Sequence, residues 1–188
     1  MKSPIRLVFL IALSVLVASG IRHALAMGGS SKLPPLKTVP QVDLKTFMGD
    51  WHVLGNIPTS VEEGCHNALE QYQLKDDGNV AITFSCSKHS FDAPREVSQF
   101  TGIIQNPGVN SEWKVRMKFL GFIPVKLPYL VIDLAADGSY TVIGYPSREY
   151  VWIMAREKTM PEQTWNEILG RLKDQGYDLS KIQRLPIR

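Results

Sequence analysis

The stretch Trp113-Lys114-Val115-Arg116-Met117-Lys118-Phe119 carries an apolar side chain at every second position and a cation at each position between. Successive side chains of a β-strand point to opposite faces, so this pattern predicts a strand with one face for a core and one for water. Working outward from it, comparable runs fall at about 49–57, 66–75, 79–87, 97–105, 128–135, 140–145 and 149–156. Turn signals separate them, among them Asp76-Asp77-Gly78, Asn106-Pro107-Gly108 and Asp137-Gly138. The chain therefore reads as all-β, with eight antiparallel strands in a meander. An open sheet of that size would leave two exposed edges, which closing into an up-and-down barrel removes. Eight strands leave an interior able to hold one small ligand.

The period changes after Thr159. Trp165, Ile168, Leu169 and Leu172 follow the spacing of one helical face, Thr159 and Glu162 have the spacing of a capping box, and Gly176 stands where a helix ends. One amphipathic helix is expected, packed on the outside of the barrel, and a short strand follows at Ile182–Leu185.

At the other end, Lys2 and Arg6 precede an apolar run from Leu7 to Ile21, and Ala24-Leu25-Ala26 offers a small-x-small cleavage site. The run has 15 residues where a spanning helix needs roughly 20, so residues 1–26 read as a secretory signal peptide and not as a retained anchor. Residues 27–41, rich in Gly, Ser and Pro, read as a flexible leader, and 42–188 as the barrel with its helix. The mature chain is expected to be soluble in a periplasmic or secreted compartment. Charge agrees with no polyanionic partner. The formal +3 comes from Lys2, Arg6 and Arg22, and without them 18 bases face 18 acids, so no excess remains to hold nucleic acid phosphates.

Three pieces of sequence resemble the lipocalins, in the branch of the bacterial outer-membrane lipocalins and apolipoprotein D. Gly49-Asp50-Trp51 is similar to their Gly-x-Trp motif, and Arg156 after Tyr150-Val151-Trp152-Ile153-Met154-Ala155 is similar to their third motif. Pro146-Ser147-Arg148-Glu149, Gly64-Cys65 and Asp76-Asp77-Gly78 are similar to that branch. The resemblance implies that Arg156 lies over Trp51 at the closed end of the barrel, with Gly49, Trp51 and Arg156 as structural residues. His52, Gly55 and Asn56 depart from the branch, no acylatable Cys follows the apolar run, and Asp137 with Tyr140 matches the middle motif only loosely.

Chemistry-bearing residues are few. Cys65 and Cys86 are the only cysteines and flank one hairpin, so in an exported protein a disulfide is favoured over two free thiols. Their positions match the turn only with a bulge or a slight shift of register. A thiol nucleophile beside His66 is disfavoured because adjacent strand residues face opposite ways, and zinc at Cys65, His66, Cys86 and His89 because ligand pairs at the usual spacing are lacking. His52, next to Trp51, should face outward, which removes it as a haem ligand. No cofactor or metal is expected. Candidates for lining a ligand cavity are Trp113, Met117, Phe119, Phe122, Tyr129, Val131 and Tyr140, while Trp51, Trp152 and Ile153 are expected in the core near the closed end. Phe119-Leu120-Gly121-Phe122-Ile123-Pro124 is apolar for a loop, suggesting a lid or membrane-facing patch, with Lys126 near enough to meet an acidic head group. The expected function is binding, and storage or carriage, of a hydrophobic ligand such as a fatty acid or lysophospholipid. The alternative is an isomerase or lipid-modifying enzyme on the same barrel, for which Asp133, an acid within an apolar strand, is the first candidate.

Overall fold

The computed structural model describes residues 33–119 and 122–188, with the Phe119 side chain also outside the description. The signal peptide and the start of the leader lie outside the described residues. The barrel belongs to a compact unit spanning Pro35–Arg188.

Eight antiparallel strands close on themselves: β1 Gly49–Ile57, β2 Cys65–Leu74, β3 Val80–Lys88, β4 Arg95–Ile104, β5 Glu112–Phe119, β6 Ile123–Leu134, β7 Tyr140–Gly144 and β8 Val151–Ala155. Each pairs with the next, and β1 completes the ring with β8 on one side and β2 on the other. The alternation of β5 is realised as read. Trp113 pairs with Tyr129 and Val115 with Leu127 facing inward, while Arg116 pairs with Lys126 on the outside. The end of the barrel holding the β2–β3, β4–β5 and β6–β7 turns is closed by α1, a single turn at Leu44–Phe47 whose first amides are capped by the Asp43 carboxylate. α1 drives Phe47 into the barrel against Trp51, Tyr72 and Trp113, with ring centroids 5.3 to 5.6 Å apart.

Part of the stretch read as a leader lies along the barrel: the Val39 amide donates to the Val131 carbonyl at 2.9 Å, and just beyond the leader the Val42 amide donates to that of Val109 at 2.8 Å. On the outside, α2 (Glu162–Asp174) buries Trp165, Ile168 and Leu172 against Leu54, Ile132, Val142 and Ile153. Ile153 thus belongs to the outer layer under the helix, not to the closed end of the interior. The helix begins two residues later than a Thr159 cap would place it, with Pro161 as N-cap and no side-chain cap. Glu162 instead accepts from Arg184 at 2.6 Å. The C-terminus behaves as expected: Gly176, at φ +87°, lets the Tyr177 and Gly176 amides return to the Leu172 and Lys173 carbonyls.

Beyond a short 3₁₀ turn, β9 (Gln183–Arg184) pairs with β1 at Gly55 and Asn56. Here β1 and β2 have diverged, and the segment fills the slot between them: the Leu185 amide donates to Leu54 and the Asn67 amide to Pro186, both at 2.9 Å. Leu185 enters the inner core.

Cys65 and Cys86 form a disulfide with Cα atoms 5.5 Å apart. Of the two ways to bring them into register, the structure uses a bulge. His66 pairs with Ser87 and Leu69 with Ser85, so Asn67 and Ala68 together face Cys86, and Asn67 takes φ +49°. Reduction is expected to lower stability by about 3 kcal/mol, the chain-entropy value for a loop of this length. Urea unfolding with and without reductant measures it, and coincident curves would refute it.

Candidate functional site

The barrel interior has two unlike halves. Towards the closed end, Trp51, Trp113, Val131, Ile143 and Met154 are entirely or almost entirely buried. Arg156 lies 3.6 Å above the Trp51 ring and donates to the carbonyls of Asp50, Thr46 and Met48 at 2.6 to 2.9 Å. The Trp51 indole N–H donates to Phe47 at 2.8 Å. Gly49 has φ +95°, and a Cβ there would come within 3.5 Å of the Arg156 guanidinium. These motif residues form a structural seal.

Towards the open end, inward positions remain partly accessible. Phe84 and Ser98, Phe100, Val115, Met117 and Leu127 all take inward places in register with the core, yet Leu127 keeps 39% of its surface exposed. Solvent therefore reaches into the barrel from this side. The opposite side of the mouth is covered by the β1–β2 loop, which dips inward through Glu62. Its carboxylate accepts from the Trp152 indole N–H at 2.6 Å and from the Thr59 amide and hydroxyl at 2.9 and 2.7 Å. Trp152, expected near the closed end, thus sits in the open half.

The residues expected to line the cavity separate accordingly. Trp113 and Tyr129 stack at 5.1 Å in the closed half, with the Tyr129 hydroxyl bonded to that of Tyr72 at 2.6 Å, and with Val131 they make the floor. Met117 lines the open half. Phe122, at the β5–β6 tip, is 74% exposed at the mouth. Tyr140 faces outward: it pairs with Ala155 in the layer beneath α2 and accepts from Arg171 at 2.9 Å. Lys126 is on the outer face opposite Arg116. Asp133 is also outside, bonded to Arg171 at 2.6 Å, because a bulge between Val131 and Asp133 turns it away from the interior.

The interior acid is Glu70. It pairs with Trp51 on one side and Phe84 on the other, keeps 9% of its surface, and its Oε2 has no hydrogen-bond partner. Burial, with a smaller contribution from the nearby Glu62 charge, pushes its pKa up to about 8. Burial and the Glu70 charge also raise the Tyr129 phenol well above its ordinary value. Strict alternation from Cys65 would place Glu70 outside; the Asn67–Ala68 bulge reverses the phase and brings Ala68, Glu70 and Tyr72 inward.

A family profile for the lipocalin-like domain matches residues 42–187, which contain all eight barrel strands, the helix and β9. The chain is a lipocalin. Among lipocalins it is similar to temperature-induced lipocalin-1 of Arabidopsis thaliana, 28% identical over 160 residues covering 80% of this chain and 82% of that one. It is 26% identical to the outer membrane lipoprotein Blc of Escherichia coli K12, covering 89% and 93%, and 27% identical to apolipoprotein D of Bos taurus, covering 82% and 80%. The lipocalin fold is shared with insecticyanin of the tobacco hornworm Manduca sexta, at TM-score 0.66 and 20% identity over 84% of this chain and 87% of that one. No helix among the described residues of this lipocalin is long and apolar enough to cross a membrane.

Proposed function

We propose that this lipocalin binds a hydrophobic molecule with an extended chain, of the fatty acid or lysophospholipid type, in the open half of its barrel and stores or carries it in an exported compartment. The observation that supports this is the set of inward apolar side chains left partly accessible above a sealed aromatic floor. Each CH₂ moved from water into such a lining contributes about 0.8 kcal/mol, so an acyl chain binds without needing a charged contact. Met117, Val115 and Phe100 would hold the chain, with Trp113 and Tyr129 as its end-stop. Phe122 and the 40% exposed Ile123 beside it supply an apolar tip for contact with a membrane during loading. Export rests on the segment ending at Ala26.

Lipid extraction of the purified exported protein, followed by mass spectrometry, should recover chain lipids at near-stoichiometric amounts. Substituting Met117→Arg places an unpaired charge in the lining and should weaken binding of a fluorescent fatty acid about tenfold or more, with little change in melting temperature. Unchanged affinity would remove the open half from the ligand site.

A further inference from the structure

Within the barrel, the inward positions of the described strands carry acids and aromatic rings but no base below the rim. Lys114 and Arg116 alternate with the inward Trp113, Val115 and Met117, and Lys126 shares their outer face. Arg95 is held outside by the Ser85 hydroxyl and carbonyl and by the Asn67 carbonyl. Lys88, opposite Cys65 at the rim, is occupied by the carbonyls of Val61 and Glu63. The groups facing Glu70 are therefore the Glu62 carboxylate, already satisfied by three donors, and the hydroxyls of Tyr72 and Tyr129, bonded to each other. Glu70 Oε2 is left with no partner in a place where an orphaned polar atom is costly.

We propose that Glu70 determines ligand class by accepting the ammonium group of an amphiphile that carries one apolar chain, which the unpartnered carboxyl on an aromatic floor with no competing base is built to receive. This rests on the reading of the barrel interior as the ligand site. Phe84, directly across from Glu70 on β3 and only half-buried, offers a ring beside this carboxyl that suits a cation, which is drawn to the negative face of a ring. A carboxylate head group at the same depth would instead meet the charge of Glu62, so a fatty acid binds with its head at the mouth. At neutral pH Glu70 holds a proton. On binding, its O–H bond breaks, that proton passes to the buffer, and the carboxylate accepts an N–H of the ammonium, leaving a neutral pair.

The test uses the whole mature protein and displacement of the neutral fluorophore phenylnaphthylamine by dodecylamine, dodecanol and dodecanoic acid at pH 7. Dodecylamine should displace the probe at about 10- to 100-fold lower concentration than the other two, the range expected of a charge-assisted hydrogen bond. Calorimetry in two buffers of different ionisation heat should record about one proton released per amine bound, the stoichiometry of an acid giving way to an ion pair. In Glu70→Gln, the amine advantage and the proton release should both vanish, while dodecanol affinity stays within about threefold, since the neutral amide keeps the shape of the acid. Equal affinities of the three compounds, or amine binding without proton release, would overturn the proposal in the wild-type protein alone, whatever the variant does. Should the fluorophore fail to bind, or none of the three compounds displace it, the fault lies with the ligand-site reading beneath it.

Discussion

Replacing Trp51 by Ala should lower the free energy of unfolding by about 3 to 5 kcal/mol, the range for removing a large aromatic from a close-packed interior. Trp51 is wholly buried and ties three elements together. Its ring supports Phe47 of α1, its indole N–H holds the Phe47 carbonyl, and its face carries Arg156 from the end of β8. Emptying the position leaves the α1 plug without its base and Arg156 without its ring. Arg156→Ala should cost less, about 1 to 3 kcal/mol, because the indole stays in place and only its cover is lost. In Arg156→Ala, binding of an apolar probe well below the melting temperature should remain within a few fold of wild type, since Arg156 covers the far face of the seal and the open half is untouched. Urea unfolding paired with probe titration measures the two effects separately. An Arg156→Ala protein that unfolds normally but no longer binds would place the ligand at the sealed end.

Stability should also depend on pH through Glu70, and in an unusual direction for a carboxylate. The folded protein holds this proton up to about pH 8, whereas an unfolded chain releases it near 4.5. Between those values the native state binds more protons than the unfolded one, so stability falls as pH rises, by at most about 1.4 kcal/mol per unit. The contribution is complete below pH 4.5 and gone above about 8, a total on the order of 5 kcal/mol. Glu70→Gln does not titrate and should be the more stable protein at pH 8. The measurement is the difference between wild type and variant in urea unfolding at pH 5 and pH 8, which cancels every other titrating group. A difference that does not change with pH would show that Glu70 is ionised in the folded state.

Period-two alternation identified all eight strands, the 3.6-residue spacing of Trp165, Ile168 and Leu172 identified the helix, and the seal was legible in Gly49, Trp51 and Arg156. What alternation could not supply was its own phase. Each bulge adds one residue to a strand and turns every later side chain to the other face, and no single residue type marks the insertion. The interior acid goes unseen, and Asp133 stands in its place, for this reason. Asp133 counts as inward from Val131 until the bulge before it is included, and Glu70 counts as outward from Cys65 until Asn67 and Ala68 are seen to share Cys86. Gly55 was visible only as a departure from the family pattern. The helix explains it: a Cβ there would lie 2.4 Å from the Trp165 ring.

The slot between β1 and β2 has a consequence in time. Asn56 meets Gln183, a residue 127 positions further along the chain, and this contact completes the side wall of the open half. All eight strands can pair with their sequence neighbours while that wall still has a gap, because the piece that fills it follows the helix. Closing so long a loop is entropically slow compared with forming hairpins. Until it happens, the greasy interior is laid open along its flank as well as at its mouth, so the nearly finished chain is more prone to aggregate than the completed one.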